Sequence, residues 1–221
     1  MASLLNISGS TDLNRVYIEW LKSMGCVFWL PLATNGDLNE RFTGNKLVQT
    51  STTSGYLSWS STENCYYMHS GTANSQKYYT LQTDWDSSTF SNDEFTVLTE
   101  LKRKSTSGFA LWFMLGNTYG VPVGAATVYS GTSNMASWNS SSHKTAYYIG
   151  PSSRKMYQDG SLYNTYAAHN PYLPSNWGSW EWFIGTYQSS SVTNCECYVK
   201  NIMIFNRELS LAEIKKIQNI Q

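Results

Sequence analysis

Between residues 26 and 205 no stretch sustains a helical period, and this constrains the fold more than any other feature of the chain. Hydrophobic residues come in short runs, several alternating with period two, and turn-forming residues separate them. Cys26-Val27-Phe28-Trp29-Leu30 is an apolar run stopped by Pro31. Glu94–Lys104 sets Phe95, Val97, Thr99 and Leu101 on one face and Thr96, Leu98, Glu100 and Lys102 on the other, while Phe109–Gly116 is apolar on both. Lys77–Thr83, Val121–Tyr129, Thr145–Ile149, Arg154–Gln158, Ser161–Asn164, Trp180–Tyr187 and Cys195–Phe205 complete the predicted strands. Asp159-Gly160 marks a tight hairpin, because that pair accepts positive φ. So many strands with no helices between them exclude a parallel α/β layout. They predict an all-β fold, an antiparallel two-sheet β-sandwich.

A helix is predicted at each end of this stretch. Thr11 and Asp12 are capping residues, and Leu13, Val16, Tyr17, Trp20, Leu21 and Met24 follow on one helical stripe. Gly25 stands where a helix C-cap is expected. The stripe has two readings: it packs on the domain's own core, or Val16, Tyr17 and Trp20 dock a partner. Near the other terminus, Ser210-Leu211-Ala212-Glu213 is a capping box. The helix it starts has Leu211, Ile214, Ile217 and Ile220 as its buried side, and Lys215 and Lys216 near the negative end of its dipole. The expected organisation is an N-terminal segment, 1–25, followed by one sandwich domain, 26–221, with no linker-like run between further units.

Charge excludes some functions. Charged residues are 14% of the chain, with 15 Lys+Arg against 15 Asp+Glu. A neutral chain without a basic run is not a backbone-driven nucleic-acid binder, which needs clustered cations to displace counterions. The 16 Tyr, 9 Trp and 8 Phe exclude intrinsic disorder. No apolar stretch reaches the roughly 20 residues of a membrane-spanning helix. Cys26, Cys65, Cys195 and Cys197 show neither CxxC spacing nor Cys/His clustering, so zinc is not indicated. They form two bridges or stay as buried thiols. Met1-Ala2-Ser3-Leu4-Leu5-Asn6 lacks the basic and apolar regions of a secretory signal, so synthesis in the cytosol without general secretory export is the expectation.

The most specific segment runs from Val199 to Ile214. Val199-Lys200-Asn201-Ile202-Met203-Ile204-Phe205 leads into Asn206-Arg207-Glu208-Leu209-Ser210 and then Glu213-Ile214. It resembles the closing signature of laminin-G-like domains of the concanavalin A-like lectin/glucanase superfamily. There a last core strand enters an Asn-Arg-x-Leu-Ser turn and a short helix. Lys155-Met156-Tyr157-Gln158-Asp159-Gly160 is similar to that family's Tyr-x-Asp-Gly hairpin. Asp93-Glu94-Phe95-Thr96-Val97 is similar to its Phe-Thr strand. Leu30-Pro31-Leu32 with Asp37-Leu38-Asn39-Glu40 and Thr43-Gly44-Asn45 resembles its opening strand and loop. The resemblance implies a jelly roll over nearly the whole chain. Independently, Asn206-Arg207 must turn the chain and Leu209 staples the helix entry, so the closing helix is expected to plug an open end of the sandwich. Many such domains hold calcium at one rim, and Asp37, Asn39, Glu40 and Asn45 would offer the oxygen ligands here, with no geometry fixed by the sequence. No other cofactor is expected.

Jelly rolls of this kind include glycoside hydrolases that carry Glu-x-Asp-x-x-Glu on one strand, aiming two carboxyl groups into a cleft. That motif is absent. Asp93, Glu94 and Glu100 have the wrong spacing, Asp84 and Asp86 flank Trp85 without a third acid, and Glu181 stands alone between tryptophans. His69, His143 and His169 accompany no Gly-x-Ser-x-Gly elbow. The chain is expected not to be an enzyme.

Binding is where the aromatic surplus points. Trp85, Trp138, Tyr166, Tyr172, Trp177 and Trp180 fall in turn-rich segments with Asn, Gln and His nearby, and Tyr147 and Tyr148 follow His143. Sugar rings lie flat on aromatic faces while amides satisfy their hydroxyls. The candidate ligand-binding residues are therefore Trp138, Tyr147, Tyr172, Trp177 and Trp180. The plainer reading of the same residues is that they pack loops onto the sandwich or form a protein interface. The expected function is a non-catalytic virion surface protein of a tailed bacteriophage, a capsid decoration or fibre-associated subunit that recognises protein or glycan. Its partners would be other virion proteins or a cell-surface glycan, with no nucleic acid or membrane. Alternatives are an adhesive glycan-binding module of a bacterial cell-surface or secreted protein, and a degenerate glycoside hydrolase.

Overall fold

The computed structural model describes residues 11–49, 56–69, 78–81, 85–86, 88–104, 111–115, 119–123, 127–128, 133–134, 141–168, 173–176, 182–185 and 196–220. Helix α1 is Thr11–Ser23 and α2 is Leu211–Gln218. The strands are β1 (Cys26–Pro31), β2 (Val48–Gln49), β3 (Tyr56–Ser60), β4 (Cys65–His69), β5 (Tyr78–Leu81), β6 (Phe95–Arg103), β7 (Leu111–Leu115) and β8 (Tyr119–Val123). They continue with β9 (Thr127–Val128), β10 (Ser133–Asn134), β11 (Ser142–Ile149), β12 (Ser153–Gln158), β13 (Ser161–Ala167), β14 (Trp182–Gly185) and β15 (Glu196–Phe205). The all-β reading holds. β2, β3, β4 and β10 were not among the predicted strands, and the run Val121–Tyr129 divides between β8 and β9.

The large sheet runs β13-β12-β11-β6-β15-β4-β3 and is antiparallel throughout. β15 is its organising strand. One edge pairs with β6 along nearly its whole length. The other edge is shared: Glu196–Val199 pair with β4, and Asn201–Phe205 pair with β1. A second sheet runs β2-β5-β14-β7-β8, and β9 and β10 form a separate pair.

Period-two alternation gives the large sheet two apolar faces. Phe28, Leu30, Phe95, Val97, Leu101, Tyr147, Ile149, Ile202 and Ile204 belong to one core. Trp29, Leu98, Ala146, Tyr157, Met203 and Phe205, their neighbours in sequence, belong to another. Tyr17 and Leu21 of α1, Ile214 and Ile217 of α2, and Leu209 between β15 and α2 complete this second core. The two helices therefore lie over one face of the sheet. This corrects the expectation that the closing helix plugs an end of the sandwich: with both faces of β6, β11, β12 and β15 apolar, the second face needs its own cover. Each large side chain buried in this way contributes about 1.5–3 kcal/mol. Cys26 and Cys65 are buried free thiols, Cys197 is buried in the first core, and Cys195 lies outside the described residues.

The corner where α1, β15 and α2 meet explains the closing signature. Gly25 adopts φ +82°, and its carbonyl accepts the Asn206 N–H at 2.9 Å. Asn206 Nδ2 donates to the Thr89 carbonyl at 3.1 Å. Arg207 Nε donates to the Met24 carbonyl at 2.7 Å, closing the end of α1, and its Nη2 pairs with Glu213 at 2.8 Å. Ser210 Oγ accepts the Glu213 N–H, and the Glu213 carboxylate accepts the Ser210 N–H. The Arg207 guanidinium and the Ser210 donors hold the Glu213 carboxyl down at about 2 despite its partial burial. Leu209, fully buried between Glu208 and Ser210, anchors the turn in the second core.

Candidate recognition site

The flank of the large sheet begins with the β12–β13 hairpin. Asp159 and Gly160 turn it with φ 48° and 76°. Asp159 also ties the turn to β11: its carboxylate accepts the Lys144 N–H at 2.9 Å and lies 2.6 Å from His143 Nδ1. His143, grouped in the sequence with glycan-contact candidates, is thus part of the hairpin's own framework.

Beyond β13 the chain enters the aromatic segment 166–180, and both ends of its first half are pinned. At the first, the buried Arg154 of β12 donates from Nε to the Ala167 carbonyl at 2.9 Å. Its guanidinium lies 5.6 Å from the centroid of the Tyr166 ring. At the second, a single 3-10 turn, Pro174–Asn176, follows Leu173, and both Leu173 and Pro174 are buried. Asp93, itself at φ 58°, accepts the Ser175 N–H at 2.6 Å and the Ser175 hydroxyl at 2.8 Å. The sheet and the core therefore fix the chain on either side of Tyr172 and immediately before Trp177. Tyr172, Trp177 and Trp180 themselves, and Trp138, lie outside the described residues.

Two candidates change role. Tyr147 is 1% exposed and sits in the first core, because alternation along β11 points it inward with Thr145 and Ile149. It is a packing residue and no ligand contact. Tyr17 is likewise buried in the second core, its ring edge-on to Trp29 at 5.2 Å, and burial pushes its hydroxyl up to about 12. It packs α1 on its own sheet rather than docking a partner. Val16, on the same helix, is 61% exposed. Trp20 is half-buried, with Lys216 Nζ 5.1 Å from its ring centroid. Tyr148 is buried too, its hydroxyl donating to Glu94 at 2.9 Å. Trp85 is a loop-packing residue, edge-on to Phe28 and Phe90.

The rim loop suggested for calcium is held by its own hydrogen bonds. Glu40 is buried, and its carboxylate accepts the N–H groups of Trp29, Phe42 and Thr43 and the Thr43 hydroxyl. Asp37 pairs with Arg41 and accepts from Asn39. Among the described residues no group of three His, Cys, Asp or Glu is placed to hold a metal ion. Other acids are similarly engaged: Glu63 with Lys102 at 2.6 Å, Glu100 with Lys200 at 3.3 Å, and Glu208 with Lys155 at 2.6 Å. Asp84 and Glu181 lie outside the described residues.

The sequence missed β13 as a surface. Leu162 is 51% and Tyr163 49% exposed, although both stand in a predicted strand. The available signal was the polar companions Ser161, Asn164 and Thr165, which leave the strand without a continuous apolar face.

The fold class is an all-β, antiparallel sandwich of the jelly-roll kind. No protein-family profile and no curated protein sequence matches the chain. Solved structures do. One is botulinum neurotoxin type C, a toxin dependent on two ganglioside molecules to get into cells; it is 10% identical, with a TM-score of 0.63, over 90% of this chain and 52% of the toxin chain. Another is the binding domain of botulinum neurotoxin DC in complex with rat synaptotagmin II, at 10% identity and a TM-score of 0.61, over 88% of this chain and 51% of that one. A third is a Trypanosoma rangeli sialidase in complex with a difluorinated KDN, at 17% identity and a TM-score of 0.56, over 88% of this chain and 32% of the sialidase. The chain thus spans about half of the toxin chains, and the likeness is one of fold.

Proposed function

We propose that this chain is a non-catalytic recognition module that binds carbohydrate through the aromatic segment beyond β13. One observation carries the reading: the segment bearing Tyr172 and Trp177 is clamped to the sheet by Arg154 at Ala167 and by Asp93 at Ser175. Anchors that already hold the chain on either side leave less conformational entropy to be lost on binding. Trp138 and Trp180 join the same proposal as ring donors. The structural likeness to a toxin that depends on gangliosides, and to a sialidase, supports sugar as the ligand class. Glu40 and Asp37 are engaged within their own loop, which supports a rim that works without calcium.

The finer part of the proposal is the setting: a virion surface, as a capsid decoration or fibre-associated subunit assembled in the host cytoplasm with other virion proteins. The exposed Val16 and the edge of Trp20 would provide the docking strip on α1. Mass spectrometry of purified phage particles tests the setting, with the protein present at structural stoichiometry as the expected result and its absence from particles as the contrary one.

A glycan array with the folded protein tests the module itself. Binding to a restricted set of glycans is expected, with Trp177→Ala weakening it at least about tenfold, or roughly 1.4 kcal/mol. No bound glycan would overturn the reading. Release of reducing sugar from a bound β-glucan would make the protein a hydrolase instead.

A further inference from the structure

We propose that Arg41 is the built-in cation of the rim loop: its guanidinium takes the oxygens a calcium ion would need and holds the loop in shape without a metal. The role is independent of what the domain binds. As it stands the loop does not fit calcium, because its oxygen donors are committed within it. Arg41 Nη1 donates to Asp37 Oδ1 at 3.2 Å and to the Asn39 carbonyl at 3.4 Å, and Nη2 pairs with Asp37 Oδ2. The Asn39 N–H and its side-chain amide both donate to Asp37 Oδ1 at 3.2 Å. The Asn45 carbonyl accepts the Glu40 N–H at 2.8 Å. The Glu40 carboxylate is turned to the Trp29, Phe42 and Thr43 N–H groups and the Thr43 hydroxyl.

The position of Asp37 makes this more than a surface ion pair. Asp37 closes the turn that begins at Thr34, its N–H donating to the Thr34 carbonyl at 3.2 Å, and Gly36 within that turn adopts φ +80°. The Gly36 N–H donates to the Tyr66 hydroxyl at 2.7 Å, which ties the turn to β4. Arg41 belongs to the stretch tied to β1, where its own N–H donates to the Trp29 carbonyl at 2.9 Å. The pair Asp37–Arg41 therefore joins two stretches of chain that are anchored to different strands.

A calcium ion does the same work in a loop by drawing carboxylate and carbonyl oxygens from separate residues around one positive charge. A guanidinium can replace it because its planar fork matches a carboxylate with two parallel bonds and still reaches a neighbouring carbonyl. The two side chains are 30% and 22% exposed, so water screens their attraction only in part. Burial raises the Asp37 carboxyl, but the Arg41 and Asn39 donors outweigh it and leave the group below its ordinary value. A loop closed by a metal opens when calcium is scarce. One closed by Arg41 keeps its shape whatever the calcium level around it.

Thermal melting tests the role with wild type, Arg41→Lys, Arg41→Ala and the double variant Arg41→Ala/Asp37→Asn, each with a chelator and with about 5 mM calcium, enough to fill weak extracellular sites. Wild type is expected to melt at the same temperature in both solutions. Arg41→Ala should melt lower in chelator and recover part of the loss in calcium, which can take up the freed Asp37 carboxylate and Asn39 carbonyl with water completing its shell. The double variant should recover nothing, and Arg41→Lys, which keeps the charge without the fork, should melt between wild type and Arg41→Ala. Calcium titrated into wild type by calorimetry should give no saturable heat, a result that depends on no variant folding. Saturable binding there, or a wild-type melting temperature that calcium raises, would overturn the proposal. So would an Arg41→Ala protein that melts like wild type, or one that calcium fails to rescue.

Discussion

The closing corner and strand β13 lie on the same large sheet and use their polar groups in opposite ways. At the corner, Gly25, Asn206, Arg207, Ser210 and Glu213 satisfy one another and the backbone around them. Along β13, Leu162 and Tyr163 face water, and the main-chain ladder is broken by a bulge. An arrangement in which every donor meets an acceptor contributes stability, because each broken bond strands a partner. A strand most of whose side chains meet solvent contributes little to stability. The contrast separates the part of the molecule that holds the fold from the part that presents a surface.

The largest expected effect breaks the first region at its apolar base. Phe205 is fully buried in the second core, and Phe205→Ala should cost about 3–5 kcal/mol in chemical denaturation. Arg207→Ala removes the bonds to the Met24 carbonyl and to Glu213 together, and should cost about 2 kcal/mol because the guanidinium is partly solvated. It should also change the pH dependence. Glu213 is held at about 2 against an ordinary 4.5. Its ionised form therefore favours the fold above pH 4.5, and that contribution is lost as pH falls through about 2. Denaturation midpoints across this window should show a shallower acid decline in Glu213→Gln than in wild type. Ser210→Ala removes the cap of α2 and should cost about 1 kcal/mol. Tyr163→Ser, on β13, should stay within about 0.5 kcal/mol of wild type by the same measurement. A loss there as large as that of Arg207→Ala would mean that β13 is structural, and the contrast would fail.

The sequence made the first region legible and the second obscure, for physical reasons. Local chemistry specifies the corner: the Ser210/Glu213 box, the Gly25 cap and the Asp159-Gly160 turn act through near neighbours, so a short reading frame contains the information. The two-sided burial of β6 is different. Thr96 and Leu98 are buried because α1 and α2 cover that face, a tertiary fact that alternation alone does not carry. Tyr147 was misassigned although the signal was present: counting by twos from Thr145 to Ile149 places it inward. β3 escaped notice because Ser58 and Ser60, which suit both strands and loops, interrupt its apolar residues. The bulge at Tyr163 depends on how β12 and β13 meet, and the run Ser161–Asn164 gives no hint of it.

The proposed recognition module binds a sugar through the segment that follows β13 and leaves that sugar chemically intact. Titration of a glycan selected on the array into wild-type and Trp177→Ala protein, matched in melting temperature, tests this most directly. The account predicts saturable binding by the wild type, recovery of the glycan intact, and loss of most of the affinity in the variant. Equal affinity in the two proteins, or a glycan recovered cleaved, would contradict it.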